Sequence, residues 1–142
     1  MGSEHPRRER APAIDGHAKN FSIRLSPGGR FRLTPLYDVM SGQPALDANQ
    51  IRHNRFKLAM SLGDNGHYIV QRILPRHFIQ SANACGMPAD TMNRIFQKLI
   101  ETSPEAIERT LAQLPDDFPQ ENSDSIVGGV KARLRILEAP SE

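Results

Sequence analysis

The sequence predicts a helix-rich α+β fold in which a β-hairpin precedes a series of helices. Apolar and polar residues alternate over 21–25 and again over 31–33, as in strands with one buried face. The segment between them, 26–30, has the sequence Ser-Pro-Gly-Gly-Arg, which supplies the positive φ values that a tight turn needs. Beyond residue 75, apolar residues recur at helical spacing, so the remaining elements are predicted to be helices.

Between the hairpin and the helices, one further strand is predicted. Residues 57–62 favour a short strand, and the glycine-containing turn 63–66 closes it. Residues 41–49 contain both a glycine and a proline and are predicted to form a loop.

Start and stop signals divide the C-terminal half into four predicted helices. The first begins at Pro75 and ends at Gly86, because proline suits a first helical turn and glycine suits the C-terminal cap. Ser103 is a natural N-cap and separates the second helix from the third. Cys85 is predicted to be a small core residue on the apolar face of the first helix. The predicted helical segments are 75–85, 88–102, 104–114 and 125–137.

Length and composition restrict the class of protein. The chain has 142 residues, of which 38% are hydrophobic and 24% are charged, as expected of one globular domain. A single cysteine excludes an internal disulfide framework and a cysteine-built zinc site. No apolar run approaches the roughly 18 residues that a membrane span requires, so we expect a cytoplasmic protein with no membrane partner.

The net charge of +2 conceals an uneven distribution. Residues 19–57 contain seven basic and two acidic side chains, whereas residues 104–124 contain six acidic side chains and one arginine. A basic N-terminal third suggests a polyanion or a phosphate group nearby. The alternative is that these charges only solvate the exposed faces of strands.

Three polar residues around the hairpin have the spacing of a phosphoryl-transfer site. Asp15 and Asn20 are five residues apart, and the hairpin then leads to Asp38. The same interval separates the base aspartate from the metal-binding asparagine in protein-kinase catalytic loops. One carboxylate can accept a hydroxyl proton, while a carboxamide oxygen and a second carboxylate can hold Mg²⁺. Alternatively, Asp15 is a turn residue and Asn20 caps the entry to a strand.

The residues around these positions carry a family resemblance. Residues 15–22, Asp-Gly-His-Ala-Lys-Asn-Phe-Ser, resemble the catalytic loop of the HipA-like toxin kinases, and residues 33–39, Leu-Thr-Pro-Leu-Tyr-Asp-Val, are similar to their next motif. Residues 57–61, residues 65–68 and the helical tail are also similar, so the resemblance spans residues 14–137.

This resemblance implies the C-terminal lobe of a protein-kinase-like fold, with the hairpin carrying the catalytic and metal-binding loops. It also implies a bacterial Ser/Thr protein kinase of a type II toxin–antitoxin system that uses ATP and Mg²⁺. The implied partners are a protein substrate with a Ser or Thr hydroxyl and a helix-turn-helix antitoxin. DNA would be contacted only indirectly, through that antitoxin.

The resemblance also implies a role for each residue of the loop. Asp15 would be the catalytic base, and Asn20 and Asp38 would hold Mg²⁺. Lys19 would be catalytic through contact with the γ-phosphate, where it neutralises charge that develops in transfer.

Two further residues are candidates for binding the nucleotide or its phosphates. His17 either contacts a phosphate or satisfies the backbone groups of the loop. Tyr37 either contacts the nucleotide or packs beneath the site.

Some parts of a kinase are not recognisable in the sequence. Only fourteen residues precede Asp15, and they include neither a glycine-rich phosphate cover nor a strand lysine. We therefore expect an N-terminally truncated protein that is inactive alone, with a disordered leader at 1–13, a partial kinase lobe at 14–137 and a tail at 138–142. The alternatives are a non-catalytic module that engages the DNA-binding antitoxin, and a decayed gene product without function.

Overall fold

The computed structural model describes residues 13–14 and 16–139 and has α+β architecture. Within these residues there are two small sheets and four α-helices. The strands are β1 (Ala13–Ile14), β2 (Ile23–Ser26), β3 (Arg30–Leu33), β4 (Lys57–Leu62) and β5 (His67–Ile69). The helices are α1 (Gln43–Asp47), α2 (Pro75–Ala84), α3 (Ala89–Leu111) and α4 (Gln120–Glu138).

The predicted hairpin is confirmed. Strands β2 and β3 pair antiparallel, with Leu25 opposite Phe31. The turn contains Gly28 and Gly29, whose φ angles of 80° and 74° lie in a region that residues with a Cβ rarely adopt. The two strands pack mainly on each other and leave both hairpin faces exposed.

The second sheet has the order β1-β4-β5 and mixes both pairing directions. Strand β4 is the strand predicted at 57–62, and it pairs antiparallel with β5 across the turn 63–66. Strand β5 was not predicted, because its three residues are too few to show an alternating pattern. Strand β1 lies parallel to β4, with Ala13 beside Lys57. The remainder of the predicted leader and most of the predicted tail lie outside the described residues.

Two predictions about helices are wrong. The segment predicted as a loop at 41–49 contains α1, because Pro44 falls in the first turn, where its fixed φ and missing N–H are tolerated. The predicted break at Ser103 is absent, and α3 continues through Pro104. Pro104 cannot donate a hydrogen bond to Ile100, but the residues that follow it keep the helical stripe that faces α4. Packing along this stripe therefore outweighs the local break.

The first and last helices agree better with prediction. Helix α2 begins at Pro75 as predicted, and Gly86 beyond its end has a φ of 78°. Helix α4 begins at Gln120, five residues before the predicted start. Cys85, predicted to be a core residue, is exposed at the C-cap of α2, because the helix ends before its side chain can turn inward; Ala82 is buried instead.

The main core lies between α1, the β4–β5 sheet and α4. Leu46, Ile51 and Phe56 form a buried cluster, against which Val70 packs. Helix α4 approaches α1 closely at Gly129, where an added Cβ would lie 2.8 Å from the side chain of Gln43. None of the helices among the described residues is long and apolar enough to cross a membrane.

Candidate functional site

The candidate site lies where the chain enters and leaves the β2–β3 hairpin. On the entry side, residues Ala18–Asn20 form one turn of 3-10 helix, in which the Asn20 amide donates to the His17 carbonyl at 2.8 Å. This turn points the Asn20 side chain inward, so Asn20 is buried while its neighbours are exposed. On the exit side, the chain leaves β3 through Thr34 and Pro35 and reaches Asp38.

The structure brings together the two residues predicted to hold Mg²⁺. Asn20 Nδ2 donates a hydrogen bond to Asp38 Oδ2 at 3.0 Å, across 18 residues of sequence. This bond fixes the orientation of the carboxamide, because only its NH₂ group can donate to a carboxylate. The hairpin therefore brings the segment before β2 and the segment after β3 into contact, as the sequence predicts.

The carboxamide oxygen of Asn20 is an unusual polar atom. It is buried and has no hydrogen-bond partner within the described part of the chain. A buried acceptor without a partner costs about 1–3 kcal/mol, so such atoms are rare in folded proteins and call for an explanation. A cation is one group that would satisfy this oxygen, and oxygen donors are the ligands that Mg²⁺ prefers.

The backbone at Asp38 is also unusual. Its φ angle is 55°, in the left-handed region that side chains other than glycine seldom occupy. Aspartate tolerates this region better than most residues, and such conformations cluster at functional sites. Asn49 shares this property, with a φ of 56°, but lies just beyond α1 and away from the site residues in sequence.

A set of hydroxyl groups connects the two sides of the site. The Tyr37 hydroxyl donates to the Lys19 carbonyl at 3.2 Å and lies 2.8 Å from Ser22 Oγ, which can donate to it. The Ser22 carbonyl in turn accepts from Thr34, both from its amide at 2.9 Å and from its hydroxyl at 3.2 Å. These bonds hold the exit segment against the entry segment and so support the contact between Asn20 and Asp38.

Sequence reasoning did not identify Ser22 and Thr34 as part of this arrangement. The signal was their placement at opposite ends of a predicted hairpin, where the two strands must meet. The sequence allows two roles for Tyr37; in the structure its hydroxyl is engaged within the protein while its ring is half exposed. A contact between Tyr37 and a nucleotide stays a prediction.

The remaining predicted site residues stay predictions. Asp15, the predicted base, lies outside the described residues. His17, which precedes the 3-10 turn, and Lys19, which lies within it, are both exposed, so their side chains are accessible to a phosphate group.

A histidine pair lies in the other half of the molecule. The rings of His67 and His77 stack with centroids 3.9 Å apart. His77 is buried, and its Nδ1 accepts the Leu74 amide at 3.2 Å, which caps the start of α2. Burial lowers the pKa of His77, and the nearby charges of His67 and Arg76 lower it further. Neutral His77 therefore has a structural role in the attachment of α2.

The chain matches a known protein-family model. The family described as the HipA-like C-terminal domain matches residues 11–107. The match covers about two thirds of the chain and includes the whole hairpin with Asn20, Asp38 and position 15. It ends within α3, so α4 lies outside it.

Proposed function

The chain belongs to the family of HipA-like C-terminal domains, and from this premise we propose that it acts in Mg²⁺-dependent phosphoryl transfer from ATP to a Ser or Thr hydroxyl of a protein. The setting that we propose is a toxin–antitoxin system of the cytoplasm. The observation that carries this proposal is the hydrogen bond between Asn20 and Asp38, together with the buried carboxamide oxygen that it leaves without a partner.

The donors at this position fit a magnesium ion. Mg²⁺ is commonly held by one or two carboxylates and by the phosphates of its nucleotide. In our proposal, Asn20 Oδ1 and the Asp38 carboxylate hold the ion. When bound, Mg²⁺ would neutralise the charge on the phosphates during transfer.

The other residues would act on the substrate hydroxyl and on the phosphates. Asp15 would orient the hydroxyl and accept its proton, as a general base must do. Lys19, adjacent to Asn20 and exposed, would offset negative charge on the γ-phosphate. Tyr37 and Ser22 would keep the exit segment in place, which preserves the separation of the metal-binding residues.

The nucleotide also needs groups that this sequence does not show. Neither a glycine-rich cover nor a strand lysine is recognisable in residues 1–14, which precede Asp15. We propose that these groups come from a second polypeptide segment and that the chain alone is inactive.

The alternative function is a non-catalytic module that engages a helix-turn-helix antitoxin. The exposed apolar side chains of the hairpin favour this alternative, because they offer a surface to a protein partner.

Divalent-ion binding tests the proposed metal residues directly. The probe is Mn²⁺, whose free fraction can be measured by electron paramagnetic resonance. Asn20→Ala and Asp38→Asn should each weaken binding at least tenfold, because each removes an oxygen donor or its charge. Asp64→Asn, which changes an exposed turn aspartate, is the matched control and should bind as the parent does. Equal binding by all four proteins would contradict the assignment of the metal residues.

Nucleotide binding and transfer test the rest of the proposal. Calorimetry with Mg²⁺–ADP should show no micromolar binding to the purified chain, and such binding would contradict the need for a second segment. Once a complementing segment yields an active kinase, Asp15→Asn should reduce transfer about 10²–10⁴-fold, the usual contribution of a general base. Full transfer by that variant would exclude Asp15 as the base.

A further inference from the structure

The β2–β3 hairpin has two chemically different faces. Side chains alternate between the faces of a strand, and directly opposed residues share a face. The observed register pairs Ile23 with Leu33 and Leu25 with Phe31, so one face is entirely apolar. The opposite face consists of Arg24, Ser26, Arg30 and Arg32, and we call it the arginine face.

The arginine face carries positive charge without local compensation. Arg24 lies directly opposite Arg32, and like charges in this position destabilise an antiparallel pair. No acidic residue occurs anywhere between positions 16 and 37, although this segment contains three arginines and one lysine. All three arginines are exposed. An anion bound at this face would offset the repulsion.

The hairpin is also accessible to a large ligand. Its strands make their extensive contacts with each other, so it projects from the rest of the described chain. The turn at its tip contains Gly28 and Gly29, and a Cβ built at either glycine meets no atom within 4 Å. The arginine face and the tip can therefore approach a partner together.

From these observations we propose that the arginine face binds the phosphate backbone of duplex nucleic acid. The major groove of DNA is about 12 Å wide and admits a two-stranded β-ribbon. Arg30 and Arg32 are two residues apart on one strand, about 7 Å, and Arg24 lies about 5 Å across the ribbon. A double helix presents phosphates in closely spaced, regular rows, to which guanidinium groups bind in a bidentate manner.

This proposal does not depend on the proposed kinase function. The arginines are distinct from Asn20, Asp38 and the other residues assigned to phosphoryl transfer. A protein without catalytic activity could still bind DNA through the hairpin, and an active kinase could fail to do so.

Fluorescence anisotropy with a labelled duplex tests the proposal on the full 142-residue chain. The probe is a DNA duplex of about 20 base pairs and arbitrary sequence, titrated at several salt concentrations. Three phosphate contacts should give a slope of about −2.7 in a plot of log K against log salt concentration. Changing Arg24, Arg30 and Arg32 together to glutamine should lower the affinity at least tenfold at low salt and bring the slope close to zero.

The matched control makes the same change of net charge elsewhere. Arg72, Arg94 and Arg109 are exposed and lie on other elements. Changing these three to glutamine should leave most of the affinity and the slope intact. An equal loss of affinity in both triple variants would show that only the net charge of the protein matters, and it would overturn the proposal.

A competitor decides between nucleic acid and acidic protein. Unlabelled duplex should displace the probe, whereas polyglutamate at the same concentration of charges should displace it poorly. Equally effective competition by polyglutamate would overturn the assignment to nucleic acid. The proposal would also be overturned if the variant with Arg24, Arg30 and Arg32 changed to glutamine bound the duplex as tightly as the unchanged protein.

Discussion

The β2–β3 hairpin and the body formed by β4, β5 and the helices differ in where their apolar side chains lie. In the hairpin, Leu25 and Phe31 are 73% and 71% exposed. In the body, Phe56 and Ile73 are 3% and 1% exposed. Burial of apolar area is the main favourable term in folding, so the stability of this protein comes from the body.

This difference has a consequence for the candidate site. An isolated two-stranded hairpin is at best marginally stable in water. The hairpin here is held at its base by the contact between Asn20 and Asp38 and by the bonds from Tyr37 and Thr34. The residues with a proposed function therefore lie in the less stable region, which is where binding segments are commonly found.

Removal of one phenylalanine from each region tests whether the hairpin and the body contribute differently to stability. Phe56→Ala should lower the free energy of unfolding by about 3–5 kcal/mol, because it leaves a cavity in the buried cluster. Phe31→Ala should change it by no more than about 0.5 kcal/mol, because the ring is already in solvent. Urea denaturation followed by far-UV circular dichroism gives both values. Similar losses in the two variants would show that the hairpin contributes to the core in solution.

The two glycines of α4 differ in how closely the neighbouring helix α1 approaches them. Gly128→Ala should stabilise the protein by up to about 1 kcal/mol, because alanine favours helix and a Cβ there meets no atom within 4 Å. Gly129→Ala should give less stabilisation or a net loss, because its Cβ would displace Gln43, whose side chain also bonds Asp47 at 2.8 Å. Thermal unfolding of both variants measures the difference. Equal stabilisation would contradict the close approach of α4 to α1.

A smaller effect is expected from pH, and it also belongs to the body. The folded protein lowers the pKa of His77, mainly through burial, so the unfolded chain binds a proton more readily. The contribution of neutral His77 to the free energy of unfolding is therefore fully present above the pKa of His77 in the unfolded chain, about 6.5. It is lost as the pH falls below that value. Protonation at Nδ1 would also remove the acceptor for the Leu74 amide.

Urea titrations between about pH 5 and pH 7.5 measure this loss of stability. Asp47 does not contribute to it, because its pKa is lowered from an already acidic value and its carboxylate stays ionised in this range. The cause of the lowering is hydrogen bonding by Ser125 and Gln43. In His77→Gln the pH dependence should diminish. An unchanged pH dependence in that variant would place its origin in another group.

The parts of the fold that the sequence predicted well depend on local signals. The hairpin needs alternating side chains and two glycines with positive φ, and both are visible in residues 21–33. Helix α2 starts at a proline and ends near a glycine, which are equally local features. The pairing of Asn20 with Asp38 follows from the hairpin, because an antiparallel ribbon returns the chain to its starting point.

The parts that could not be predicted depend on packing between distant segments. Helix α3 continues through Pro104, and the residues that follow the proline pack against α4. This packing involves a segment far along the chain, so the local pattern around Pro104 does not predict it. The parallel pairing of β1 with β4 joins segments more than 40 residues apart. Asn20 Oδ1 lacks a hydrogen-bond partner because of the orientation of its carboxamide, and the spacing of residues in the sequence does not reveal that orientation.

The parallel pairing of β1 with β4 also bears on the order in which the molecule folds. Ala13 pairs with Lys57, so the intervening chain must close a long loop, whereas Leu62 and His67 in β4 and β5 are only five residues apart. Loop closure is entropically more costly and slower for distant residues, so the β4–β5 ribbon should form early and β1 should join it late. The segment with Asn20 and Asp38 lies wholly inside that loop. The contact between Asn20 and Asp38 spans only 18 residues, so the candidate site should form before β1 closes the longer loop around it.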